Sequence, residues 1–171
     1  MSDLALAVDI GGTKMAAGLV DRAGTLSYRA QVPTPATSLD ATKGDAEDRD
    51  AVDRGAEGRD AVDGEAEGGE EGDAAELLWR TLRDLVAVVR QQATSNERVV
   101  VCGVGCGGPM SPGGETVSPL NIGGWRDFPL RARLHELTGV PTFVDNDAKA
   151  FALGEGWTGA AAGCKIGRAH V

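Results

Sequence analysis

The opening of the chain, from Leu4 to Val32, constrains the fold most. "LALAVDI" alternates toward Val8 and Ile10, "MAAGLVD" at 15–21 follows across a Gly-Gly turn, and "TLSYRAQV" at 25–32 follows the turn-like Arg22-Ala23-Gly24. Three short antiparallel strands joined by tight turns are predicted, ended by Pro33 and Pro35. With 171 residues the chain has room for one ordinary domain and a real core, but not for two comfortable ones.

Downstream the period changes. Leu77, Leu78, Leu82, Leu85, Val86 and Val89 fall on one helical stripe, and Asp73 with Glu76 resembles a capping box, which predicts a helix over 74–93. "RVVVCGVG" at 98–105 reads as a buried strand, "LRARLHEL" at 130–137 as a helix, "PTFVD" at 141–145 as a strand and 147–157 as a third helix. Three strands, then helix, strand, helix, strand, helix, describe an α/β layer structure with a mixed sheet.

Between these parts lies an acidic segment. Residues 40–73 hold fourteen Asp and Glu against four Lys and Arg, a net of -10, so the formal charge of -9 leaves +1 for everything else. The acidity therefore says nothing about the surface of the fold. The segment has no aromatic residue and too few apolar ones to offset the entropy of ordering, so disorder is expected over 40–73. It duplicates a decapeptide, "RDAVDRGAEG" at 49–58 and "RDAVDGEAEG" at 59–68, which suits an expanded surface loop better than an interaction tail.

Cys102, Cys106 and Cys164 are odd in number and lack paired spacing, which points away from a disulfide framework or a zinc site and toward a reducing cytoplasm. Neither a signal peptide nor a membrane span is supported, because the apolar start is only strand length.

Three motifs carry chemistry. "DIGGTK" places Gly11 and Gly12 in the first turn, where glycine permits conformations that aim successive N–H groups at phosphate oxygens; Thr13 adds a hydroxyl, Lys14 a cation, and Asp9 a carboxylate suited to hydrated Mg²⁺. The plain alternative is a glycine-rich hairpin turn, which would need neither the Asp before nor the Thr-Lys after. "GVGCGG" at 103–108 matches a dinucleotide-binding pattern, but Pro109 and Pro112 prevent the helix whose N-terminus would receive a pyrophosphate. A glycine loop approached closely by a small ligand fits better. "FVDNDAKAF" delivers Asn146 and Asp147 from a strand end to a helix N-terminus, where an ionised carboxylate is favoured and could serve as a general base for a hydroxyl. Simple helix capping by either residue is at least as good an account of the motif taken alone.

Taken together, "VDIGGTKMAAGLVD", "GVGCGGPM", "PLNIGGW" and "VDNDAKAFALGEGW" resemble the amino-terminal half of the ROK family, the sugar kinases and sugar-responsive repressors of the actin-like ATPase superfamily. The resemblance covers nearly all of 4–160 apart from the acidic insertion. It implies an actin-like (ribonuclease H-like) lobe and ATP-dependent transfer of a phosphoryl group to a hexose, glucokinase-like, with fructose or an N-acetylhexosamine as the alternative sugar. By position it implies Gly11, Gly12, Thr13 and Lys14 as the phosphate loop with Asp9 at the metal, Gly108 and Asn121 on sugar hydroxyls, Asn146 on the sugar and Asp147 as catalytic base. Asp145 is then left with orienting or structural work, and Lys149, where many members carry Asn, bears on which sugar is favoured.

The resemblance further implies a homo-oligomer when full length. Repressors of the family carry a helix-turn-helix before the phosphate loop, whereas eight residues precede Asp9 here, so no nucleic-acid partner is expected. A sugar-sensing protein without catalysis is the rival class, and the intact "DIGGTK" opposes it. Residues 1–156 are expected to form one lobe and 157–171 to begin a second; the family's second phosphate loop, adenosine pocket and Cys-rich zinc motif would lie beyond Val171, leaving this piece inactive by itself. "KIGRAHV" departs from the family pattern: ATC GGA AGA GCA CAC GTC, one codon reading of 166–171, opens a common sequencing adapter, so 165–171 are expected to be a non-native tail. Cys164 and His170 accordingly receive no ligand role, and His135 is expected at the surface.

Overall fold

Leu4, Leu6, Val8 and Ile10 are all buried, while their odd-numbered neighbours are half-buried or exposed, so the first strand has one core face and one open face. The computed structural model describes residues 1–36, 67–162 and 164. Its strands are β1 (Ser2–Ile10), β2 (Lys14–Val20), β3 (Leu26–Pro33), β4 (Glu97–Cys106) and β5 (Thr142–Asn146); its helices are α1 (Glu67–Arg90), α2 (Leu130–Thr138) and α3 (Asp147–Trp157), with a short 3₁₀ turn at Pro112–Gly114. The sheet order is β3-β2-β1-β4-β5. Strand β2 runs antiparallel to both of its neighbours, β1 and β3, and β1, β4 and β5 run parallel, as the mixed-sheet expectation requires.

The core lies between one sheet face and the α1/α2 layer. Helix α1 packs on β2 and β3, and its Leu78, Leu82, Leu85, Val86 and Val89 share one buried cluster with Met15 and Leu19 of β2 and Leu6 of β1; α2 packs on β5, adding Leu130 and Leu134 to the cluster beside Val144. Trp125, wholly buried, stacks on Phe128 with centroids 4.5 Å apart. Arg133 ties the layer together by pairing with Glu76 at 2.9 Å while its guanidinium covers the Trp79 and Phe128 rings. No helix among the described residues is long and apolar enough to cross a membrane.

Three expectations are corrected. Helical backbone begins at Glu67, so 67–73 continue α1 instead of belonging to a disordered segment, and Asp73 lies inside the helix and does not cap it. Once the stripe from Leu78 is packed, each residue added to the helix gains a hydrogen bond for one residue fixed, so the helix propagates past its sequence signal. Leu77 is 43% exposed, one position off the buried stripe. β4 is buried on one face only, at Cys102, Val104 and Cys106, because α3 leaves much of the opposite face open. The expectations for 40–66 and for 165–171 lie outside the described residues.

Candidate active site

The carboxyl ends of β1, β4 and β5 open on one edge of the sheet because the three strands are parallel. Register aligns Asp9 with Gly105 and Gly105 with Asp145, and the next row aligns Ile10, Cys106 and Asn146. Gly105 lies directly under α3: a Cβ there would be in ordinary contact with the Asp147 Cα at 3.6 Å and the Ala150 Cβ at 3.5 Å. The start of α3 therefore sits over the middle of the row that Asp9 begins.

The "DIGGTK" turn is held from both sides. The Gly11 N–H donates to the Lys14 carbonyl at 3.0 Å, while Thr34 donates its hydroxyl to the Gly11 carbonyl at 2.7 Å and its N–H to the Thr13 carbonyl at 3.1 Å. Neither Gly11 nor Gly12 takes a left-handed conformation. The second glycine is needed for close approach instead: a Cβ on Gly12 would lie 2.7 Å from the Asn121 carbonyl oxygen and 2.9 Å from its Cβ. With the Gly11 amide engaged in the turn, the Gly12 and Thr13 amides, the exposed Thr13 hydroxyl and the Lys14 ammonium are the groups the turn has for a phosphate.

Asn121 reaches the turn from the "PLNIGGW" loop. That loop is pinned to the glycine loop by Leu120 N–H to the Gly108 carbonyl at 3.1 Å and Ser118 N–H to the Pro109 carbonyl at 2.9 Å. A Cβ on Gly107 would fall 3.2 Å from the Asn121 Oδ1, and one on Gly108 would fall 3.8 Å from the Asn146 Nδ2.

Asn146 caps α3, its Oδ1 accepting from the Ala148 N–H at 3.1 Å, and the Asp147 Oδ1 accepts from the same N–H at 2.7 Å. Capping and chemistry are compatible here, since capping leaves the Asn146 Nδ2 beside Gly108 and the second oxygen of Asp147 exposed at the positive end of the helix. Asp145 is engaged elsewhere: its Oδ1 accepts from the Asn146 N–H at 2.9 Å and its Oδ2 pairs with Lys149. The Lys149 hydrogen bond first, and the Asn146 amide after it, hold the Asp145 carboxyl below its ordinary value.

Cys106, wholly buried beneath this edge, reports on its surroundings. Burial, and then the charges of Asp147 and Asp9, push its thiol up to about 12. Asp9 is exposed, and among the described residues no three His, Cys, Asp or Glu form a cage. A lone carboxylate beside the Gly11-Gly12 turn is a donor set that would suit Mg²⁺, a cation that keeps most of its water.

Thr34 and Gly107 were missed from sequence. Thr34 carried a faint signal, lying between two prolines that stiffen it against the turn; Gly107 carried none beyond its place in a glycine run. His135 is exposed, its Nδ1 2.8 Å from the Val140 carbonyl.

A family model described as the ROK family matches residues 67–166. The chain belongs to the ROK family. Among its relatives, a glucokinase of Streptomyces coelicolor is 29% identical over 152 residues, covering 89% of this chain and 35% of that enzyme. An N-acetylmannosamine kinase of Salmonella newport is 30% identical over 151 residues, covering 88% and 38%. The crystal structure of a ROK family glucokinase from Streptomyces griseus in complex with glucose and AMPPNP superposes with a TM-score of 0.64 at 28% identity, over 94% of this chain and 38% of that one. The fold is therefore the actin-like α/β lobe of ROK proteins, and the chain spans little more than a third of the length of these relatives.

Proposed function

We propose that this ROK chain is the phosphate-loop and base-bearing part of a cytoplasmic, ATP-dependent hexose kinase, glucokinase-like, with residues 1–156 as one lobe and 157–171 entering the next. The convergence of the Gly12 turn, Asn121, Asn146 and Asp147 on one sheet edge carries this reading. Similarity to glucokinases and to N-acetylmannosamine kinases at nearly equal identity leaves glucose first and an N-acetylhexosamine second.

In the proposed reaction Asn146 and Asn121 hold sugar hydroxyls, each amide side chain able to donate and accept. Asp147 takes the proton of the reacting hydroxyl, whose oxygen forms a bond to the γ-phosphorus of ATP as the bond to the bridging oxygen of ADP breaks. The Gly12 and Thr13 amides, the Thr13 hydroxyl and Lys14 hold the phosphate oxygens in place, so that most of the rate comes from positioning and charge neutralisation. Asp9 would hold Mg²⁺, which supplies charge neutralisation at the phosphates when bound.

The test is an ATP-coupled assay of the full-length protein over glucose, N-acetylmannosamine and fructose, with Asp147→Asn alongside. Phosphorylation of one of these sugars by wild type and its loss in the variant is the expected result. Equal turnover by both proteins would remove Asp147 as base, and no sugar-dependent ATP consumption by wild type would remove the kinase reading.

A further inference from the structure

The phosphate loop and the Asn121 loop touch at a single crowded point. Gly12 lies so close to Asn121 that an added Cβ would stand 2.7 Å from its carbonyl oxygen, 2.9 Å from its Cβ and 3.0 Å from its Nδ2. Backbone supplies the shortest of these contacts, so no side-chain rotation relieves it. Gly107 lies near the amide end of the same residue, at 3.2 Å from Oδ1.

Neither loop is free to retreat. The Asn121 segment is anchored just beyond the contact by Ile122 and Trp125, both wholly buried, and by Gly124, whose Cβ position would be 2.8 Å from the Leu78 Cδ1 on α1. The phosphate turn is anchored by the two Thr34 hydrogen bonds. A methyl group at Gly12 must therefore displace Asn121 or the turn by part of an ångström, because packed protein transmits such strain instead of absorbing it.

We infer that Gly12 is a positioning residue for the sugar subsite: through the contact with Asn121, the phosphate loop sets where the sugar-facing amide stands, and each of the two residues affects the ligand of the other. This rests on the proposed reading of Asn121 as a sugar contact. Glycine at this position would then serve two ligands, the phosphate by backbone and the sugar by leaving space.

Titration calorimetry on the full-length protein tests it, with glucose and N-acetylmannosamine as sugar probes and AMPPNP as nucleotide probe, each titrated alone. Gly12→Ala is expected to raise the sugar Kd about tenfold or more with no nucleotide present. An unchanged sugar Kd in a folded Gly12→Ala protein overturns the inference. Asn121→Ala, at an exposed position, keeps the backbone and Cβ contacts but removes the amide whose Nδ2 stands 3.0 Å from the same point, which takes away one wall of the phosphate turn, so AMPPNP is expected to weaken severalfold with no sugar present. Unchanged AMPPNP affinity in that variant overturns the inference too, and decides it if Gly12→Ala does not fold. A wild-type protein that bound AMPPNP but neither sugar would instead remove the sugar reading, while the Asn121→Ala titration would still judge the contact.

Discussion

The Lys149 Nζ lies 2.5 Å from the Asp145 Oδ2, one turn into α3 and reaching back to the strand that feeds it. The pair separates the two acids of "VDND": Asp145 is occupied by Lys149 and by the Asn146 amide, and Asp147 faces the open edge. Asp145→Asn should lower stability by less than about 1 kcal/mol, as an exposed pair does, and lower turnover only severalfold. Asp147→Asn should lower turnover by about 100-fold or more. Thermal unfolding and a coupled assay on the same preparations check both, and comparable losses of turnover would refute the division of labour.

The same pair bears on sugar choice. Because its ammonium is held at Asp145, Lys149 is expected to leave selectivity alone: Lys149→Ala should keep the ratio of kcat/KM for glucose over N-acetylmannosamine within about threefold, on the order of the small effect of an exposed ion pair. A tenfold switch in that ratio would make Lys149 a substrate contact after all.

Acid should expose the pair's contribution to stability. The Asp145 carboxyl is lowered in the folded protein relative to the unfolded one, chiefly by Lys149, so its contribution is present above the ordinary carboxylate range near about pH 4 and is lost as pH falls through the folded value. Lys149→Ala should move the acid-unfolding midpoint to higher pH, measured by circular dichroism. Coincident acid titrations of variant and wild type would contradict the assignment.

Thiol chemistry gives an independent measure of burial. Desolvation raises Cys102 to about 11 and Cys106 to about 12, whereas Cys164 is exposed. Alkylation at pH 8 with peptide mapping should label Cys164 first and the other two only on unfolding. Since the folded values lie above the ordinary thiol value of about 8.5, both buried cysteines contribute stability below that pH and lose it as pH rises toward the folded values. Rapid native labelling of Cys106 would show that the edge of β4 is open.

Much of this was legible from residues alone, because periodicity and turn chemistry are local. The alternation in "LALAVDI" and the spacing of Leu78, Leu82, Leu85 and Val89 determine strand and helix before any packing is known, and the predicted 147–157 helix has the bounds observed. The helix start at Glu67 was not legible, since propagation from a packed stripe leaves no mark at the residues it recruits.

At the site, local chemistry alone names the residue types proposed to meet a phosphate, a metal and a hydroxyl: the glycine turn with its Asp, Thr and Lys, and the Asn-Asp pair at a helix start. Tertiary structure decided how they act together. Only the parallel register of β1, β4 and β5 brings positions more than a hundred residues apart to one edge, and only the packed loops show that Gly12 is small because Asn121 fills the space. Close approach between distant segments is a property of the assembled sheet and its loops, and nothing in the local chemistry of a Gly-Gly turn distinguishes a glycine needed for its backbone angles from one needed for its empty side.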